Sequence, residues 1–420
     1  MISPERIVIL GGGFAGLETA FLLRHRLRDR VDVTLVSDRP AFLFRPNTIY
    51  IPFGLDPDEL TIPLSEPTGR QGIRFVHAAV RDVDPERRRV VLEGHEPLPY
   101  DRLVIATGAA MRPEEVPGLG EHANTIWTPA QMQQLGAELH RVVDRARGGA
   151  STRLLFLIPP NNKCAGPLYE MVFMVDTHLR REGVRDRVQL TWATSEASFI
   201  QAFGPRLHEV VTEEFAERGI EGHTGLAVEE VVPGEVRFAG GDRLGFDSLV
   251  AFPPYIAAVP YPALPGDDRG FLDTLFRTRQ VEGYPNVYAP GDAGNFPVKQ
   301  AFLAFLQADA VAEHIAGELT GHAPRAWFDP VSMCVMEQLD KAVFAQVPLT
   351  LTGDPAAPVA VRPDADGAYK VGVSPMWRLG KKLLGVYLPM RFRAGEPFHA
   401  GTAWTMMEVG LKGMSGVLAR

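Results

Sequence analysis

The sequence predicts an α/β protein: two Rossmann-like units of parallel strands and helices, followed by a C-terminal segment suited to a membrane interface. Three observations predict it. At the N-terminus a strand runs into a glycine-spaced loop and a helix, in RIVILGGGFAGLETAFLLRHRL. Two more strands open into glycine turns, in DRLVIATGAAMRP and NVYAPGDAGNFP. Between them an apolar strand, Leu154 to Ile158, exits into PPNNKCAGPLYE, which holds one of only two cysteines.

Length and composition set the frame. The chain has 420 residues, 45% hydrophobic and 22% charged, enough for two or three domains with a sizeable core. A net charge of −8 argues against nucleic acid as a partner. Two cysteines rule out a disulfide scaffold, and the 11 histidines show no HExxH spacing and no pairing with cysteine, so no metal is expected. No apolar run approaches the roughly 18 residues of a membrane-spanning helix. The first strand leads straight into the glycine loop, so no signal peptide is expected.

In the first unit, strand Ile7–Leu10 is followed by Gly11, Gly13 and Gly16 in GxGxxG spacing, with Phe14 and Ala15 inside the loop. Gly11 permits the tight turn, Gly13 lets a pyrophosphate approach the backbone, and Gly16 lets helix and strand pack closely. The phosphates would sit at the positive end of a helix whose apolar face carries Leu17, Ala20, Phe21 and Leu27. Strand Val33–Val36 ends at Ser37, where a ribose-binding acid commonly falls, and Asp38 follows one position late. Asp38 reads equally well as a solvated turn residue.

The second fragment, strand Leu103–Ala106, opens at Thr107–Gly108; the third opens at Gly291–Asp292 and leads into a helix from about Gln300 to Leu319. An aspartate there can bond ribityl hydroxyls, and the helix N-terminus can face the ring edge where negative charge collects on reduction. In the middle unit the strand runs into Pro159, Pro160, Asn161 and Asn162. Two prolines fix the backbone and remove donors, and no glycine triplet follows, so a nicotinamide nucleotide lacks its cradle.

GGGFAG, VIATGA and YAPGDA together resemble the two-dinucleotide-domain flavoproteins. With KCAGPLYE and the distant Cys334 added, the chain resembles the sulfide:quinone oxidoreductases over nearly its whole length. The resemblance implies FAD as cofactor, sulfide and a quinone as substrates, and Cys164 and Cys334 as a redox pair. It implies Glu170 as an acid or base, Val80 in the strand whose backbone reads adenine, and Arg45 and Pro46 beside the flavin. The third cysteine that many members carry is missing here.

The tail completes the expectation. SPMWRLGKKLLGVYLPMRFRAGEPF sets Met376, Leu379, Leu383, Val386 and Met390 at helical spacing, with Arg378, Lys381, Lys382, Arg391 and Arg393 basic and no acid from Ser374 to Ala394. With Trp377 it reads as a helix lying in a membrane interface, and TAWTMMEVGLKGMSGVL reads as a second. The chain is thus expected to be a peripheral, monotopic membrane protein. Packing of both helices on the flavin unit or on a second subunit is the alternative, so a homo-oligomer stays open. The expected domains are 1–112 with 285–322, holding FAD; 113–284, carrying Cys164; and 323–420, carrying Cys334 and the anchor. Three rivals remain: a type II NADH:quinone dehydrogenase, a flavocytochrome-type sulfide dehydrogenase, and a non-catalytic flavin and thiol redox sensor.

Overall fold

The computed structural model describes residues 4–419. Its first sheet runs, in spatial order, Gln280–Val281, Tyr284–Tyr288, Arg102–Ile105, Glu5–Leu10, Val31–Ser37 and Arg74–His77. All pairings beyond the first are parallel. The period-two alternation of strand side chains splits these residues between two cores. Ile7, Ile9, Val33 and Leu35 pack under helices Phe14–Leu27 and Ala301–Thr320. Val8, Leu10, Leu103 and Ile105 pack on the other side, against Val83, Val90 and Leu92 of a small antiparallel sheet and against Tyr261.

The second sheet is parallel throughout: Asn124–Thr125, Ser248–Ala251, Thr152–Ile158, Val188–Thr194 and Ile220–His223. Helices Pro129–Arg147, Gly166–Arg181 and Gly204–Arg218 join its core, where Tyr169 stacks on Trp192 at 3.9 Å. The first of these helices starts with a capping box: Thr128 and Gln131 satisfy each other's backbone N–H groups.

A third, antiparallel sheet follows, from Val331–Glu337, Ala342–Leu351 and Val359–Val361, with Lys370–Ser374 also paired to the long strand. Cys334 stands opposite Ala345 in its register. The first strand of this sheet packs against helix Gly166–Arg181. That contact closes the gap of 170 positions between the two cysteines.

The tail forms helices Pro375–Ala394 and Thr402–Leu418. The Ser374 hydroxyl caps the first by accepting from the Met376 N–H. The apolar stripe faces out: Met376, Leu379, Leu383, Val386 and Met390 are 46–70% exposed. The expected cationic face is corrected. Arg378, Lys381 and Arg391 turn inward onto acceptors, leaving Lys382 and Arg393 exposed. Trp377 is corrected too: it is fully buried and stacks on Phe344 at 3.9 Å, because a large ring gains more from a packed sheet face than from an interface. No helix among the described residues is long and apolar enough to cross a membrane.

Candidate functional site

One cavity of about 880 Å³ runs from the first glycine loop to the tail helices. Gly11, Gly13, Phe14, Ala15, Ser37, Asp38, Arg45, Pro46, Val80, Thr107, Gly108, Gly291 and Asp292 line it. So do Cys164, Cys334 and Glu170. Gly16 alone among the expected site residues stands behind the wall. A side chain there would overlap the Gly11 carbonyl oxygen, which is the close helix–strand approach its spacing predicts.

The glycine loop fits a dinucleotide. A side chain at Gly11 would overlap the carbonyl of Ala106, so this turn admits only glycine, at φ +106°. A Cβ at Gly13 would meet nothing within 4 Å, leaving open space at the N-terminus of helix Phe14–Leu27. That is where an FAD pyrophosphate would sit. The Phe14 ring is wedged among Phe42, Phe44 and Phe305 and fixes the helix start. Arg45 lies over Trp127 at 4.2 Å and donates to its carbonyl, tying the first unit to the second. Burial raises the pKa of Asp292, with Lys299 and Arg45 opposing. We expect purified protein to be yellow and to release FAD into the supernatant on acid or heat denaturation. Gly16→Ala should lower the flavin-to-protein ratio.

The loop carrying Cys164 is pinned on three sides. The Asn162 side chain accepts from the Cys164 N–H at 2.9 Å and donates to the carbonyls of Phe252 and Pro253 at 3.0 and 3.1 Å. Tyr255 donates its N–H to the Asn161 carbonyl, and Lys299 donates its own to the Lys163 carbonyl. One donor that a nucleotide-binding loop could aim at phosphate, the Cys164 N–H, is thus already taken, and Pro167 removes another at the helix start.

Cys164 and Cys334 are free thiols, both half-buried on the cavity wall. A Cβ at Gly166, two residues past Cys164, would lie 3.8 Å from the Cys334 sulfur. Burial pushes both thiols up, Cys334 to about 12, and each is affected by a neighbouring negative group. Glu170 lies on the buried side of helix Gly166–Arg181, and burial lifts its carboxyl to about 7, with Lys381 opposing. The Lys381 ammonium donates to Glu170 Oε1 at 2.6 Å and to the Val335 carbonyl at 2.8 Å. Beside them the fully buried Glu337 accepts from Tyr50 and Arg378.

Sequence spacing missed these partners. Lys381 and Arg378 read as tail residues and Tyr50 drew no notice, because nothing local links them to the cysteines. Lys299, also missed, is buried, donates to the Gly294 carbonyl and lies 3.9 Å above the Phe271 ring. One signal was available: the chain has only seven lysines, and three of them, Lys163, Lys299 and Lys381, line this cavity. The fold also gathers Glu18, Asp309 and His399 within 4.8 Å. Here Glu18 accepts the N–H groups of Phe398 and His399, and His399 pairs with Asp309, so the group clasps the turn between the tail helices.

Comparison with known proteins agrees with this geometry. Residues 5–146 match the family model for pyridine nucleotide-disulphide oxidoreductases. A sulfide-quinone reductase of Aquifex aeolicus is 29% identical over 243 residues, 55% of this chain and 53% of that protein, so the match spans about half of that relative's length. A mitochondrial sulfide:quinone oxidoreductase of Dictyostelium discoideum is 24% identical over 76% of this chain and 71% of its own. An NADH dehydrogenase-like protein of Mycobacterium tuberculosis is 28% identical over 68% of this chain and 72% of its own. The solved structure of the Aquifex aeolicus sulfide:quinone oxidoreductase superposes with a TM-score of 0.82 at 22% identity, covering 97% of this chain and 96% of that one. With its glycine loop and its paired parallel sheets, the chain shares its fold with the sulfide:quinone oxidoreductase of Aquifex aeolicus and is similar in sequence to sulfide:quinone oxidoreductases.

Proposed function

We propose that the chain oxidises sulfide to sulfane sulfur through Cys164 and Cys334 and delivers the electrons to a membrane quinone. One observation carries the reading: the only two cysteines, 170 positions apart, line the same cavity as the flavin-type strand exits. In the oxidised enzyme the two sulfurs form a disulfide. Hydrosulfide attacks one of them; the S–S bond breaks, the attacked sulfur keeps the new sulfur as a persulfide, and the other leaves as a thiolate. A nucleophilic acceptor, such as a second hydrosulfide, takes the outer sulfur of the persulfide and leaves a thiolate there; the two thiolates then re-form the S–S bond and release two electrons, which FAD, when bound, would accept and relay to quinone.

The chain's own groups manage the protons. Glu170, lifted to about 7, stands near half-protonation at neutral pH and suits both acceptance and release. Below that value it holds its proton and cannot take one from hydrogen sulfide or thiol; above it the base form prevails. The rate of sulfide-dependent flavin reduction is therefore expected to rise with pH through about 7. Glu170→Gln should remove that limb and lower the rate by roughly 10- to 1000-fold.

The rival with NADH as reductant is disfavoured by the Asn162 turn, which occupies the Cys164 N–H, and by Pro167, which removes a donor at the start of the following helix. Anaerobic addition of sulfide, then of NADH, to the oxidised protein separates the two. We expect sulfide to bleach the flavin within the first turnover and NADH to bleach it far more slowly. Rapid stoichiometric bleaching by NADH would move the assignment to an NADH:quinone dehydrogenase.

Helix Pro375–Ala394 supports membrane contact at the quinone end. Its exposed stripe, with Met406, Val409 and Val417 of the last helix, exposes eight large apolar side chains. A monomeric soluble surface rarely leaves so many large apolar groups to water. Leu384, Leu388 and Trp404 line the cavity from the same two helices, so the lipid-facing surface and the flavin site share one wall.

A further inference from the structure

Helix Pro375–Ala394 serves two neighbours at once. Its outer stripe is apolar and exposed, while its inner face places Arg378 on Glu337 and Lys381 on Glu170. The Lys381 side chain is only 12% exposed, and its second acceptor is the carbonyl of Val335, the residue directly after Cys334. The charged groups around Cys334 are few. Helix Gly166–Arg181 supplies Glu170, the cysteine's own strand supplies Glu337, and the tail helix supplies Arg378 and Lys381; Tyr50 bonds Glu337, and Cys164 lies on the same cavity wall. Arg378 is committed to Glu337. Lys381, though paired with Glu170, also reaches the carbonyl of the residue next to Cys334, and so is the cation at hand for any negative charge that forms on the Cys334 sulfur.

We propose that Lys381 is a positioning residue for the sulfur half of the reaction: its ammonium holds Glu170 in place and balances the thiolate at Cys334. The helix that lies on the lipid thereby also completes the thiol site. A thiolate in a water-poor cavity forms only with a counter-charge nearby. Burial and Glu170 both oppose ionisation of Cys334, and Lys381 is the group that favours it. The proposal rests on the reading of sulfide oxidation given above and assigns this lysine to the cysteines rather than to quinone.

The test uses the full-length holoprotein. In a Cys164→Ser background, Cys334 alone reacts with iodoacetamide, and the pH midpoint of its alkylation reports its thiolate. Lys381→Met is expected to raise that midpoint by about one pH unit or more, and Lys381→Arg to restore most of it. In proteins that keep both cysteines, Lys381→Met should slow sulfide-dependent flavin reduction, measured without quinone, on the order of 10- to 100-fold at neutral pH with FAD retained. Should Lys381→Met fail to fold with Glu170 left unpaired, the comparison moves to Glu170→Gln and Glu170→Gln/Lys381→Met. There the added Lys381→Met change should again raise the midpoint. An unmoved alkylation midpoint overturns the proposal, and so does a variant that slows only reoxidation of reduced flavin by quinone. The alkylation readout needs no sulfide. Failure of wild-type protein to be reduced by sulfide would therefore sink the functional reading while leaving the assignment of Lys381 separately decided.

Discussion

Cys164→Ser and Cys334→Ser are each expected to abolish sulfide-dependent quinone reduction, by roughly 1000-fold or more, while leaving FAD bound. The size of the effect follows from the chemistry: a disulfide needs both sulfurs, and serine cannot accept a sulfur atom. Neither cysteine holds a structural position that serine would wreck, since both are half-buried on a cavity wall and the Asn162 turn that fixes Cys164 bonds its backbone N–H rather than its sulfur. The double variant should be no worse than either single one, because the pair acts as a unit. Anaerobic flavin spectra and quinone reduction, measured side by side, check the prediction. A single variant that keeps near-wild-type turnover would show that the paired-cysteine scheme is wrong.

How far the chain announced this site differs from part to part. The glycine loop was legible because its geometry is local: Gly11 and Gly16 answer to contacts within a few residues or beside the adjoining strand, Gly13 leaves open space, and the helix starts where the loop ends. The strand exits at Thr107–Gly108 and Gly291–Asp292 were legible for the same reason, as was helix Ala301–Thr320, within one residue at each end. The partners of the cysteines were not. Lys381 reaches Glu170 across 211 positions and Tyr50 reaches Glu337 across 287, and no periodicity encodes a contact of that separation. The tail shows the same limit in another form. Helical spacing correctly gathered Met376, Leu379, Leu383, Val386 and Met390 on one face. It could not tell that two of the basic residues beside them, Arg378 and Lys381, answer to the buried carboxylates of Glu337 and Glu170 instead of to lipid. A basic residue on an amphipathic helix is satisfied by either, and only the fold decides.

That distinction changes how membrane contact should be tested. Removing the tail from Ser374 onward also strips Lys381 from Glu170 and Arg378 from Glu337. Leaving a buried charge without its partner costs about 3–5 kcal/mol. Such a truncated form would lose flavin reduction as well as lipid binding and would not separate the two. Substitutions on the outward face do separate them. Leu383 and Val386 are 60% and 70% exposed. Converting both to glutamate should lower binding to anionic vesicles on the order of 100-fold, since each deletes an inserting apolar side chain and adds a repelled charge. Lys382→Glu with Arg393→Glu should weaken it by about 1 kcal/mol per residue, and less at high salt, because these two exposed cations act through the surface potential alone. In both cases sulfide-dependent flavin reduction should persist, while reduction of a membrane-embedded quinone should fall with the fraction bound. Co-sedimentation with vesicles, at low and high salt, measures the first quantity, and quinone turnover in the same vesicles measures the second. If intact protein remains in the supernatant, the exposed stripe belongs to contact with another protein subunit, and a soluble acceptor replaces the quinone as the destination of the electrons.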